Sequence, residues 1–297
     1  DVQTVIIQTL QYYDLQRIET ENSETNLEAF LNAKKVEGRT ARTLVRYKYI
    51  ITRLLKFCKC SEREISVLVL RDYFTQMKNK GVSDRTLDGD RQVFSSYFGW
   101  LFRERLINVN PCDNLNSIKY PKKVRKPFDQ VEIEKMKDSC KTVRNKLLIN
   151  FLLSTGCRID ETCHVKIQDI RLNSKECVVM GKGQKERTVY LNDVTCDLLK
   201  RYLELRNDNS EWLFVGRGAK RLEPGGVRVM LKGIEKKSGV ANIHPHRFRR
   251  TLATSLIKHG MPIQEVARIL GHDKIDTTMQ YVYLDDRSVK DSFYRYS

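Results

Sequence analysis

Four short stretches of this chain carry residues suited to phosphate chemistry. In HPHRFRR, residues 244–250, His246, Arg249 and Arg250 stand at i, i+3 and i+4, on the first turn of one helix. That turn also presents unpaired backbone N–H groups and the positive end of the helix dipole, a seat for a phosphate. The same spacing equally describes a solvated basic turn. TGCRIDE, residues 155–161, sets Arg158 at a break between an apolar helix and the next one, where an arginine ordinarily caps a surface. GKGQKER, residues 181–187, places Lys182 at a basic turn. It lacks the G-x-x-x-x-G-K-[ST] spacing and a strand follows where a phosphate loop needs a helix, so nucleotide hydrolysis is not supported. LGHDKIDTTMQYVYL, residues 270–284, holds His272 and two tyrosines one residue apart, Tyr281 and Tyr283. Either could be a nucleophile or a packing group.

Apolar periodicity supplies the elements that must position these groups. Residues 40–60 read as a helix, with Leu44, Tyr47, Ile51, Leu54 and Leu55 on one face and Arg42, Arg46 and Arg53 interleaved. A second helix is expected over 66–79, stopped by Gly81. A third spans 83–105, with Ser83 as N-cap and Val93, Phe94, Tyr97, Phe98, Leu101 and Phe102 facing the core. KYPKKVRKP, residues 119–127, has five bases, two prolines and no acid, and reads as a semi-extended linker following a phosphate backbone. Beyond it, helices are expected at 129–153, 158–168, 193–206, 226–238, 245–259 and about 262–270. Residues 176–191 read as a β-hairpin with Lys182 near its tip.

The 297 residues suffice for two domains. Lys and Arg number 54 against 37 Asp and Glu, a net charge of +17, which makes a polyanion the default partner. The charge is unevenly placed: residues 1–30 carry a net −5, residues 31–127 a net +13 and the remainder +9. The acidic start therefore does not lead in binding the polyanion. It lacks the layout of a signal peptide, and its first residue, Asp1, allows for a segment upstream. No apolar run reaches the length of a membrane span. Eight cysteines without a C-x-x-C pair read as buried thiols in a reducing, cytoplasmic compartment. Cys157, Cys163 and His164 match no familiar zinc spacing.

Taken in order, Arg158, Lys182, His246, Arg249, His272 and a tyrosine resemble the tyrosine recombinases, the integrase and Xer-type family that shares its chemistry with type IB topoisomerases. The family's T-G-x-R-x-x-E box matches Thr155, Gly156, Arg158 and Glu161. Its hairpin lysine matches Lys182, twenty-four residues after Arg158. Its H-x-x-R and L-G-H boxes match His246–Arg249 and Leu270–His272, and its nucleophile lies nine residues after the histidine, which selects Tyr281 over Tyr283. One departure is Arg250, where many members carry a second histidine.

The resemblance implies a mainly α (α+β) fold: a helical core-DNA-binding domain, 25–114, and a mostly helical catalytic domain with a small antiparallel sheet, 128–281, closing as a C-shaped DNA clamp. An acidic segment, 1–24, a basic linker, 115–127, and a tail, 282–297, suited to subunit contact complete the plan. The implied activity is site-specific cleavage and rejoining of double-stranded DNA through a 3′-phosphotyrosyl intermediate and a Holliday junction, within a tetrameric synapse. Accessory DNA-bending or directionality proteins are candidate partners, and a nucleoid-associated, bacterial or mobile-element-encoded protein is expected.

The chemistry suits these groups. Two guanidiniums, Arg158 and Arg249, can each fork onto the equatorial phosphate oxygens, a geometry lysine cannot supply. His246 can accept the Tyr281 proton, Lys182 can protonate the leaving 5′ oxygen, and His272 can hydrogen-bond the phosphate. Glu161 orients its surroundings. No carboxylate cluster for a two-metal site is visible in the sequence, so no metal or other cofactor is expected, and a phosphotyrosine conserves the bond energy without ATP. Arg42, Arg46, Arg53, Arg85, Arg91, Lys122, Lys123, Arg125 and Lys126 are the candidate DNA contacts. Competing readings are a type IB topoisomerase and a DNA-binding regulator without catalysis; the latter leaves the spaced catalytic set unexplained.

Overall fold

In the computed structural model, which describes residues 23–121, 126–181, 185–272, 275–279, 281 and 294, the chain divides into two compact units between Lys122 and Lys123. Lys182, Lys122, Lys123, Arg125, Tyr283 and nearly all of the acidic and C-terminal segments lie outside the described residues.

The first unit is built from α1 (Ser23–Val36), α2 (Ala41–Cys58), α3 (Val67–Asn79) and α4 (Asp84–Arg103). Thr40, Ser66 and Ser83 begin α2, α3 and α4, each side-chain hydroxyl accepting from the backbone N–H three residues on. Each such cap stabilises its helix by about 1 kcal/mol. Aromatic rings dominate the core: Phe30, Tyr73, Phe94, Tyr97 and Phe98 are fully buried. Phe102 departs from the expected core face and is 47% exposed. It lies in the last turn of α4, beyond the buried Phe98 and Leu101.

The second unit holds α5 (Gln130–Asp138), α6 (Val143–Thr155), α7 (Ile159–Cys163), β1 (Ile170–Arg171), β2 (Glu176–Met180), β3 (Glu186–Tyr190), α8 (Asp193–Glu204), α9 (Pro224–Ser238), α10 (Pro245–Lys258), α11 (Ile263–Leu270) and α12 (Asp276–Met279). Helix α6 is apolar all round because it is enclosed: Leu147, Leu148, Ile149, Phe151 and Leu152 are buried, and it packs on α8 and α10. The strands form one antiparallel sheet, ordered β1-β2-β3, with Cys177 opposite Val189 and Val179 opposite Arg187.

Two expectations are corrected here. The single helix over 129–153 is two, because Thr142 caps α6 through Asn145 N and interrupts the run. The helix over 158–168 is only α7. Val165 is buried and its carbonyl accepts from Leu213 N, which draws the chain out of the helix toward a short 3-10 turn and β1.

Candidate active site

Two helix ends organise the site. Helix α6 stops at Gly156, left-handed at φ 59°, and α11 stops at Gly271, left-handed at φ 63°. Neither position has room for a side chain. A Cβ at Gly156 would stand 2.9 Å from Leu252 Cδ2 and 3.0 Å from Leu270 Cδ2, and one at Gly271 would stand 2.7 Å from Arg187 Nε. Glycine answers both the backbone angle and the close approach.

The carbonyls freed at these ends receive arginines. Arg249, on α10 and 4% exposed, donates Nη1 to Gly156 O at 2.9 Å and Nη2 to Leu270 O. Arg158 donates Nη2 to Gly271 O at 3.1 Å. It is also the N-cap of α7, where Glu161 reaches back to accept from Arg158 N at 2.8 Å and from Arg158 Nη1 at 2.7 Å. Glu161 is 4% exposed and takes a third bond, from Arg187 Nη2 on β3 at 2.6 Å. Two guanidiniums thus share one carboxylate, and Arg249 meets carbonyl oxygens beside them. Burial, reinforced by Arg158 and Arg187, pushes the Arg249 guanidinium down to about 10, so it stays charged at neutral pH. Arg187 Nε and Nη1 are buried without a hydrogen-bond partner. An excess of buried positive charge with unused N–H donors suits an anion.

His272 and Tyr281 complete the cluster. His272 Nδ1 is 2.7 Å from the hydroxyl of Thr278, which is fully buried on α12. The Tyr281 ring stacks on the His272 ring, with centroids 6.2 Å apart, and sits in an apolar nest of Ala253, Val266 and Leu270 at 7% exposure. Arg250 places its guanidinium carbon 5.8 Å from the Tyr281 centroid. His246 lies on the exposed first turn of α10, after Pro245, with its ring 6.5 Å from that of His244.

The structure therefore gathers Arg158, Arg249, His272 and Tyr281, with Glu161 between two arginines, and sets His246 one turn before Arg249. Arg187 and Thr278 were not singled out from the sequence. A signal for Arg187 existed: in strand alternation it shares a face with the buried Val189, an unusual place for a charge. Cys157 and Cys163 are buried thiols, both pushed up by desolvation, to about 11 and about 12, and no metal-binding cluster occurs among the described residues.

The candidate DNA contacts separate into two groups. Arg42, Arg46, Arg85 and Lys126 are exposed. Arg53 instead donates to Tyr73 OH at 2.7 Å and to Asp90, which is 3% exposed, and Arg91 donates to Asp88 at 2.8 Å. Those two arginines hold the first unit together internally.

Comparison with known proteins places this arrangement. The phage integrase family model matches residues 126–288, and that of the phage integrase N-terminal SAM-like domain matches residues 27–108. The chain belongs to the phage integrase family. It is a site-specific tyrosine recombinase, an enzyme that breaks and rejoins DNA. Tyrosine recombinase XerC of Leptospira interrogans serogroup Icterohaemorrhagiae is 29% identical over 290 residues, covering 92% of this chain and 93% of the relative. Tyrosine recombinase XerA of Pyrococcus horikoshii is 28% identical over 281 residues, covering 93% and 95%. Among solved structures, the Tn1549 transposon integrase in complex with a circular intermediate DNA has a TM-score of 0.74 at 19% identity, covering 90% of this chain and 98% of that one. A lambda integrase dimer bound to a COC′ core site has a TM-score of 0.75 at 18% identity, covering 89% and 95%. These two likenesses concern the fold, which is mainly helical with one small antiparallel sheet. No helix among the described residues is long and apolar enough to cross a membrane.

Proposed function

We propose that this recombinase cuts double-stranded DNA with Tyr281 as nucleophile, within its own subunit's site. The observation that carries the reading is the Tyr281 ring docked in its own chain's apolar nest, stacked on His272, while Arg158 and Arg187 share the one carboxylate of Glu161 and Arg249 meets only carbonyl oxygens among the described residues. A phosphodiester supplies the missing negative charge, and its transition state supplies more.

The step is an in-line displacement. Tyr281 Oη forms a bond to phosphorus as the bond to the 5′ oxygen breaks, giving a 3′-phosphotyrosyl ester and a free 5′ hydroxyl. His246 takes the phenolic proton and Lys182 gives one to the 5′ oxygen. Arg158 and Arg249 have N–H donors left over after their carbonyl and carboxylate bonds, and these meet the equatorial oxygens. His272, held at Nδ1 by Thr278, presents Nε2 to the phosphate. The reverse step, with a partner strand's 5′ hydroxyl, yields a Holliday junction without ATP.

Arg42, Arg46, Arg85 and Lys126, with Lys122, Lys123 and Arg125, contact the duplex at a specific site. Four subunits on two duplexes form the synapse, joined by accessory DNA-bending or directionality proteins, in a nucleoid-associated enzyme of Xer or mobile-element type. Tyr281→Phe should abolish covalent adducts on a nicked suicide substrate while Tyr283→Phe retains them; the opposite pattern overturns the assignment. Relaxation of supercoiled plasmids lacking recombination sites would favour a topoisomerase. Mixing Tyr281→Phe with Arg249→Ala chains should restore no cleavage, since each working site needs both residues on one chain.

A further inference from the structure

Arg250 directly follows the buried Arg249 on α10, yet its surroundings differ. Arg249 faces the carbonyls of Gly156 and Leu270. Arg250 is half-buried and stands against the face of Tyr281, its guanidinium carbon 5.8 Å from the ring centroid. The imidazole of His272 stacks on the same ring at 6.2 Å with an interplanar angle of 27°. Tyr281 is therefore held by an imidazole and a guanidinium while Ala253, Val266 and Leu270 close around it. From the backbone side, Tyr281 N donates to Thr278 O at 2.9 Å.

We infer that Arg250 is a positioning residue for the nucleophile: its guanidinium holds the Tyr281 ring in register against His272, so that cleavage begins from a docked tyrosine. The attraction is that of a cation for the negative face of an aromatic ring, and it is stronger where water is partly excluded. A planar guanidinium lies flat on such a face, which a lysine ammonium does not reproduce. Helix α12, which precedes the tyrosine, is a single short turn, Asp276–Met279, too brief to set a following side chain by its own rigidity. The register of the ring must come from what packs on it. A displacement of about 1 Å in a reacting group is sufficient to slow a reaction on the order of a hundredfold.

This inference rests on Tyr281 being the nucleophile, and the two fail differently. The measurement is single-turnover adduct formation on a suicide substrate at saturating protein, together with the Kd for the same DNA and the thermal midpoint of each variant. Arg250→Met should slow the saturating rate by about tenfold to a hundredfold with Kd within about twofold, and Arg250→Lys should recover part of the loss. Arg250→Gln, planar but uncharged, should stay near the Met level. An unchanged saturating rate in Arg250→Met, or a weakened Kd with the rate intact, overturns the inference; the second result would make Arg250 a DNA contact. Should Arg250→Met fail to fold, the comparison of Lys with Gln decides: a Lys rate above that of Gln supports the inference, and a Lys rate at or below it overturns it. Persistence of adducts in Tyr281→Phe would instead sink the nucleophile assignment, whatever the Arg250 variants do.

Discussion

Both units bury arginines beside carboxylates, but the balance differs. In the first unit Arg53 has Asp90 and Arg91 has Asp88, one carboxylate for each guanidinium. In the second, Arg158 and Arg187 share Glu161 and Arg249 has only carbonyl oxygens. The consequence shows in the ionisation of these groups. Arg91, hydrogen-bonded to Asp88, holds that carboxyl below its ordinary range, burial raises the Asp90 carboxyl against the pull of Arg53, and burial with two neighbouring cations pushes Arg249 down. Arg53–Asp90 ties α2 to α4, and Arg91–Asp88 braces one face of α4. On the function proposed above, an incoming phosphate balances the excess positive charge of the trio, which would make the site complementary to developing negative charge.

Four measurements sharpen or break this contrast. Arg249→Ala should have the largest effect, slowing cleavage by about 10²–10³ at saturating DNA, while Arg53→Met, which removes a balanced arginine, should lower stability and leave the saturating cleavage rate near normal. Equal losses of rate would erase the distinction. Glu161→Gln should lower the unfolding free energy of the second unit by about 3–5 kcal/mol, since it leaves Arg158 and Arg187 without their shared carboxylate. A drop no larger than that of a surface substitution would show that Glu161 is not the electrostatic hub. Gly271→Ala should cost about 1–3 kcal/mol from its left-handed backbone and the clash with Arg187 Nε. Pairing it with Arg187→Ala should recover the steric part alone, and a double-mutant cycle reads that coupling.

The smallest effect concerns acid. The Asp88 carboxyl is depressed, first by its hydrogen bond from Arg91, so its contribution to stability is present above the unfolded carboxylate pKa of about 3.9 and is lost as pH falls through the lower folded value. Arg91→Met should make the first unit's stability less steeply dependent on pH below about 4. A profile identical to that of the parent would mean that Asp88 is held by Ile118 N and Gln92 alone.

Part of this is legible in the sequence: the Ser83 cap and the stop at Gly81 mark element ends, because each acts through local backbone chemistry. The split between α5 and α6 was missed since apolar periodicity continues across it and only the Thr142 cap breaks the chain. Arg53 and Arg91 read as DNA-facing because helical spacing does not reveal which polar side chain meets a buried carboxylate on another turn or another helix.

Residue types and spacing by themselves set out the ordered candidates Arg158, Lys182, His246, Arg249, His272 and two tyrosines, and the resemblance to the tyrosine recombinases set Tyr281 apart from Tyr283 by its distance from His272. Only the tertiary structure decided that Arg187 lies beside Arg158 and Arg249, that one glutamate serves two guanidiniums, and that Arg250 lies on the Tyr281 ring. The physical reason is range. Caps, turns and motif spacing act within a few residues, while charge balance and ring packing depend on groups tens of residues apart that only folding brings to hydrogen-bond distance.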